Sequence, residues 1–219
     1  LVKGEDLERW HTKESSLYLI RIESSSTKEH PWSNYPFQQA ESIFQTTYPS
    51  IYEWFQSFGK KFRNRGEQGK YYWELRSCTY WEELDSLKVI YPDMCSECKF
   101  SFDSLGLIPD CTVFSIPRGS LYLMGILNSN IFEFFYYRRS PLNLSGYMRF
   151  KKGYLLDSPI PICNKEDIEY IEDLVQKCID IKSKNKSIEK LRQLEDKINK
   201  RVAYLYGLTE KDMKIIRGE

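Results

Sequence analysis

Two strings in the middle of the chain carry residues able to do chemistry. Pro92-Asp93 followed by Glu97-Cys98-Lys99 has the residue types of a metal-dependent nuclease, in which acidic ligands hold divalent ions against a phosphodiester. The spacing argues against that chemistry. Only three residues separate the acid from Glu97, in a stretch that reads as a loop between strands, and a solvated acidic turn is the plainer account. Cys95 and Cys98 form one Cys-x-x-Cys. Tetrahedral zinc takes four ligands, and there is no second such pair and no His-x-x-x-His. The two histidines, His11 and His30, lie far upstream, so a Ser/His or Cys/His nucleophilic pair has little to work with. No Gly-rich phosphate loop occurs, nor an Asn-Pro-Pro-aromatic tetrapeptide for holding an extruded base. No catalytic residue and no metal ligand is therefore assigned to this chain.

What remains is charge in the right places. Lys60, Lys61, Arg63, Arg65 and Lys70 form a basic stretch opposed only by Glu67, among Trp54, Phe55, Phe58, Phe62, Tyr71, Tyr72 and Trp73. A second stretch holds Arg138, Arg139, Arg149, Lys151 and Lys152; no acidic residue occurs over 134–156, and Tyr136, Tyr137, Tyr147, Phe150 and Tyr154 are interleaved. Basic side chains neutralise phosphates and release counterions, which gives affinity that falls steeply with salt. Arginine also reads guanine through a two-pronged contact, and Asn64 or Asn143 has the amide that reads adenine. The competing account is that such residues only solvate loop surfaces, with the aromatics mostly in the core.

These stretches must be held by ordered elements. Residues 17–22 are branched and aromatic and read as a strand, followed by a Ser/Thr/Pro/Asn loop over 24–34. Pro49 suits a first helical turn, and Ile51, Phe55, Phe58 and Phe62 continue one apolar helical face. Gly66 and Gly69 end it in a basic loop. Residues 71–76, 87–91, 100–103 and 111–116 read as short strands of a mixed or antiparallel sheet. Residues 121–137 are apolar on most sides and read as a buried helix, with Asn128 and Ser129 as its surface strip. The 158–161 Ser-Pro-Ile-Pro string is a stiff extended exit.

Beyond it the composition changes. Residues 164–219 hold 13 Lys/Arg against 12 Asp/Glu, with two apolar stripes at helical spacing around a polar turn at 183–187. Asn164 and Thr209 suit N-caps, and Gly207 a helix end. The expectation is an α+β fold, a mixed β-sheet with a buried helix followed by a C-terminal helical hairpin. The division falls into an α/β part over 1–163 and a helical appendage over 164–219.

The whole-chain numbers are permissive. The sequence has 219 residues, 41% hydrophobic and 29% charged with a net charge of +1, so only the placement of charge points to a partner. The six cysteines, without a secretory signal, read as reduced cytosolic thiols, and no apolar run is long enough for a bilayer. The chain opens on Leu1 rather than methionine and reads as a segment of a longer polypeptide.

From about Lys70 onward the phrases KYYWELR, LKVIYPD, KFSFDSLGLIPDCTVFSI, LYLMGILNSNIFEFFYYRR and GYMRFKKGYLLDSPIPI occur in that order. Together with the opening VKGEDLERW and the closing LEDKINKRVAYLYGLTEKDMKII, they resemble the Taq methyltransferase-like C-terminal specificity domain, least clearly over 23–47. That family follows the catalytic domain in adenine-specific DNA methyltransferases and in fused restriction-modification enzymes. The resemblance implies a cytoplasmic, non-catalytic domain for sequence-specific recognition of double-stranded DNA in bacterial phage defence. An N-terminal methyltransferase domain of the same polypeptide then binds S-adenosylmethionine and extrudes the adenine. On this view Arg149, Lys151 and Lys152 contact phosphates. Lys60, Lys61, Arg63, Asn64, Arg65, Lys70, Arg138, Arg139, Asn143 and Tyr147 complete the DNA-facing set. The rival reading is a protein-interaction module in a defence complex, with the basic loops facing a protein partner.

Overall fold

The computed structural model describes residues 1–141, 145–184 and 187–219. They fall into two compact units, Leu1–Leu17 with Glu82–Glu219 and the intervening Tyr18–Trp81. The charge-balanced residues beyond 163 thus share a compact unit with the sheet. The fold is α+β with a C-terminal helical region. No described helix is long and apolar enough to cross a membrane.

The first unit opens with a tight hairpin of β1 (Leu7–Glu8) and β2 (His11–Thr12). Trp10 in its turn adopts φ 71°, a conformation a bulky residue takes only when its surroundings hold it there. Its ring is buried and its Nε1–H donates to Glu195 at 2.7 Å.

The second unit is built from α1 (Phe37–Thr47), α2 (Pro49–Ser57) and α3 (Gly59–Arg63). The periodicity from Pro49 to Phe62 reads as one helix. The chain breaks it at Gly59, whose φ of +60° no ordinary helical residue adopts. The strands expected at 17–22 and 71–76 do not form. Tyr71, Tyr72, Trp73 and Glu74 are all buried, so the segment lacks the alternation of a strand with one wet face. The two segments meet where the Leu75 N–H donates to the Ile22 carbonyl at 2.7 Å. A stack of rings supplies the core instead. Trp73 lies parallel to Phe44 at 4.9 Å and to Tyr71 at 4.8 Å, and Trp32 meets Phe44 edge-on.

The chain returns to the first unit through α4 (Trp81–Asp85) and enters β3 (Lys88–Pro92), which is buried along its whole length. Next come β4 (Met94–Cys95), β5 (Ser101–Asp103) and β6 (Val113–Pro117). β3 lies between β5 and β6, antiparallel to both, with Val89 opposite Phe102 on one side and Ile116 on the other. The one parallel pairing described is the isolated bridge between Val2 and Pro109.

The buried helix is two helices, α5 (Leu121–Leu127) and α6 (Asn130–Arg139). Asn128 and Ser129 are not a surface strip: both are buried. Asn128 bonds Phe100 on both sides, its Oδ1 accepting the Phe100 N–H at 2.9 Å and its Nδ2 donating to the Phe100 carbonyl at 2.8 Å. Ser129 caps α6, accepting the Phe132 N–H at 3.1 Å. Short polar side chains here end one helix and start the next.

β7 (Met148–Arg149) pairs with β4, and α7 (Lys152–Leu156) follows. The C-terminal region consists of α8 (Lys165–Ser183), α9 (Ile188–Leu205) and α10 (Glu210–Arg217). Asn164 and Thr209 cap as expected, accepting the N–H groups of Asp167 at 2.9 Å and Asp212 at 3.3 Å. Gly207 takes φ 65° after α9. The α8–α9 pair is braced to the start of the chain, with Lys182 bound to Glu8 at 2.7 Å.

Helix α8 packs on α5 through Gly125. A Cβ there would stand 2.6 Å from Ile171 Cγ2 and 2.9 Å from Val175 Cγ2. Gly125→Ala therefore forces the helices apart. The overpacking cost of about 1–3 kcal/mol outweighs the roughly 1 kcal/mol that alanine gains over glycine within a helix. A lower urea midpoint is expected, partly restored in the Gly125→Ala/Val175→Ala double variant relative to the sum of the singles. Strict additivity of the two would show that this approach of the helices is not tight.

Candidate nucleic-acid interface

The first basic stretch separates into free and engaged cations. Lys60 and Lys61 sit on the exposed side of α3 and Asn64 follows its last turn, also exposed. No acidic partner among the described residues engages either lysine. Arg63 is different. Its Nη2 lies 2.8 Å from Glu41 Oε1 and donates to Gln56 Oε1 at 2.7 Å, and the guanidinium lies over the Tyr72 ring at 4.6 Å. Tyr72 donates its hydroxyl proton to the same Glu41 oxygen at 2.8 Å. Arg65 donates to the Glu74 carbonyl and lies over Phe62 at 4.9 Å. Burial holds its pKa below the usual arginine value. Lys70 donates to the Ser33 carbonyl at 2.7 Å. Arg63, Arg65 and Lys70 thus tie the second unit together, and the freely presented groups are Lys60, Lys61 and Asn64.

The second stretch lies in the first unit, where strand alternation decides which side chains face water. Met148 and Phe150 point inward and are buried, while Tyr147, Arg149 and Lys151 are exposed. Phe150 anchors the segment by stacking on Tyr136, with centroids 4.4 Å apart and planes 3° from parallel. The Tyr136 hydroxyl donates to the Arg149 carbonyl at 3.1 Å. Lys151 is the N-cap of α7 and Lys152 its first residue, both exposed without acidic partners among the described residues. Arg138 and Arg139 are exposed on the last turn of α6, over Phe134 at 3.4 Å and Phe135 at 5.4 Å. Asn143 lies outside the described residues.

One group of this stretch is invisible along the sequence. The 134–156 window has no acidic residue, yet the fold brings Asp93 to Arg149. Arg149 Nη2 lies 3.3 Å from Asp93 Oδ2, and Arg149 Nε donates to Oδ1 at 3.5 Å. Nothing in the local sequence signals this pair, because it spans 56 positions.

The other chemistry-bearing residues have plain partners. Glu97 lies 3.7 Å from both Arg9 and Lys99, on a different cation from Asp93. Cys95 and Cys98 are buried thiols; burial pushes Cys95 up to about 12 and Cys98 well above its ordinary value, so both stay protonated near neutral pH. Among the described residues no group of three or more His, Cys, Asp or Glu is placed to hold a metal ion.

A family model described as the TaqI-like C-terminal specificity domain matches residues 1–162. Among solved structures, the chain is similar to the type IIL restriction-modification enzyme MmeI in complex with DNA, with a TM-score of 0.52 at 14% identity. The match covers 79% of this chain and 23% of that one, so the chain spans less than a quarter of the enzyme's length. At this identity the likeness speaks for the fold alone. A comparison with curated protein sequences gives no match.

Proposed function

The chain belongs to the TaqI-like C-terminal specificity domain family, and from that premise we propose that it recognises a specific sequence in double-stranded DNA for a bacterial restriction-modification enzyme. The observation that carries this reading is the family match over 1–162, the stretch that contains both basic segments. The solved relative, a restriction-modification enzyme described in complex with DNA, is in keeping with it. In this proposal the chain performs no catalysis of its own. A companion domain in the same polypeptide binds S-adenosylmethionine and methylates adenine at N6 in the cytoplasm. This chain offers no glycine-rich loop for that cofactor, so its residues are not assigned to cofactor binding.

The parts divide by geometry. Lys151, Lys152, Arg138 and Arg139 on the first unit, and Lys60 and Lys61 on the second, are exposed cations suited to phosphates. Exposed Asn64 and Tyr147 are polar and aromatic groups of the kind that meet base edges.

Selection from a pool of randomised duplex DNA at low and moderate salt tests the proposal. The expected result is salt-sensitive retention with one short enriched motif. The Lys151→Ala/Lys152→Ala variant is expected to bind all duplexes more weakly and to keep the motif. Its slope of log K against log salt is expected to fall by about 0.9 for each phosphate no longer neutralised. No retention even at low salt would overturn the proposal in favour of a protein partner.

A further inference from the structure

We infer that Arg149, held by Asp93, is a base-reading residue that selects guanine, not one of the phosphate contacts around it. This rests on the proposed DNA-recognition function and assigns one step of it to one side chain.

The guanidinium offers five N–H groups in a flat fork. Asp93 occupies the Nε and Nη2 side, at 3.5 and 3.3 Å. The end-on pair, one N–H of Nη1 and the remaining one of Nη2, is left pointing away from the carboxylate. That pair matches the O6 and N7 acceptors on the major-groove edge of guanine.

Both ends of the pair are fixed by main chain. The Asp93 N–H donates to the Thr112 carbonyl at 2.8 Å, and the Asp93 carbonyl accepts from Phe150 N–H at 2.8 Å. The Arg149 carbonyl accepts from buried Tyr136. Arg149 itself is half exposed, with 47% of its side chain open to solvent, against 20% for Asp93. An exposed ion pair usually contributes little to stability. A carboxylate on a rigid strand end that aims a half-exposed arginine has a different use: it restricts the fork to one direction.

Charge separates this arginine from its neighbours. A phosphate approaching Arg149 meets the Asp93 carboxylate beside it, and the pair carries no net charge. Guanine O6 and N7 belong to a neutral base and carry only partial negative charge, so the carboxylate opposes them far less than it opposes a phosphate. Lys151 and Lys152, with no such acid, are the phosphate-seeking cations of the segment.

The test compares the enriched motifs of the unaltered full chain, Arg149→Lys, Asp93→Asn and Lys151→Ala in the same randomised duplex pool. Arg149→Lys keeps the charge and loses the fork. It is expected to lose a guanine preference at one motif position by about ten-fold or more, with the other positions unchanged. Asp93→Asn removes an acid, so it is expected to bind DNA of any sequence at least as tightly while showing the same weakened guanine preference. Lys151→Ala is expected to weaken binding and keep the motif. An unchanged guanine preference in both Arg149→Lys and Asp93→Asn would overturn the inference while leaving DNA recognition standing. A motif absent already from the unaltered chain would overturn both.

Discussion

Lys88→Met is expected to lower the stability of the sheet-bearing unit by about 3–5 kcal/mol, read as a drop in the urea midpoint. Lys88 Nζ lies 2.5 Å from Asp103 Oδ2, and neither side chain has any exposed surface. The ammonium also donates to the Leu84 carbonyl, and the carboxylate accepts the N–H groups of Leu105 and Leu107, both at 2.8 Å. Removing the cation leaves a buried carboxylate without its counter-charge. The cost is that of an orphaned charge rather than of one missing hydrogen bond. The Lys88→Met/Asp103→Leu variant is therefore expected to recover much of the loss, because two apolar groups need no partner. A loss below about 1 kcal/mol for Lys88→Met would mean that water reaches the pair. The consequence extends along β3: Lys88 opens the strand, and its exit leads into Asp93, which aims Arg149.

That pair also marks a limit of reading sequence. Nothing local to Lys88 marks it as buried, and only the pairing of β3 with β5 brings it opposite Asp103. The β3, β5 and β6 strands were legible because branched and aromatic residues between turn formers leave few other conformations. The caps at Asn164 and Thr209 were legible because capping is local chemistry. Where the signal was local but the outcome depended on distant partners, it misled. The 71–76 segment has strand-like residues, but its rings all bury, and it packs as a turn. The 121–137 run has helical composition throughout, and the break at Asn128 is held by Phe100, just ahead of β5.

The candidate interface shows the same division. Composition located both basic stretches but could not sort them. Lys60 and Lys151 were as visible in the sequence as Arg63 and Arg65, yet the latter are held by Glu41 and Glu74 and serve the fold. The acid-free window around Arg149 was equally real along the chain and absent in space. An arginine's role depends on which acceptor reaches it, a carboxylate for Arg63 and Arg149 and a main-chain carbonyl for Arg65, and that is a tertiary property.

Glu74→Ala is expected to cost the second unit about 3–5 kcal/mol, from buried donors left unpaired and the cavity left behind. Its carboxylate is fully buried and serves as the meeting point of the unit's loops. Oε1 accepts from Trp32 Nε1 at 2.9 Å and from the Ser25 hydroxyl, and Oε2 accepts the N–H groups of Ser25 at 3.0 Å and Tyr71 at 3.3 Å. Removing it leaves donors from two separate loops, one holding Ser25 and Trp32 and the other Tyr71, facing apolar rings. Glu74→Gln keeps the volume but turns an N–H₂ toward at least one existing donor, so a smaller loss of about 2–3 kcal/mol is expected. Chemical denaturation followed by tryptophan fluorescence reads both, since Trp32 and Trp73 pack in this core. The carbonyl of Glu74 also accepts from Arg65 and from the Gly69 N–H at 3.2 Å, so the loop that follows α3 hangs from the same residue. At temperatures where the Glu74→Ala unit is partly unfolded, the contribution of Lys60 and Lys61 to DNA binding should fall with it, although neither lysine has been touched. If Glu74→Ala loosens the unit while the effect of Lys60→Ala/Lys61→Ala on binding stays constant, those lysines are not part of the DNA-facing surface, and recognition rests on the first unit alone.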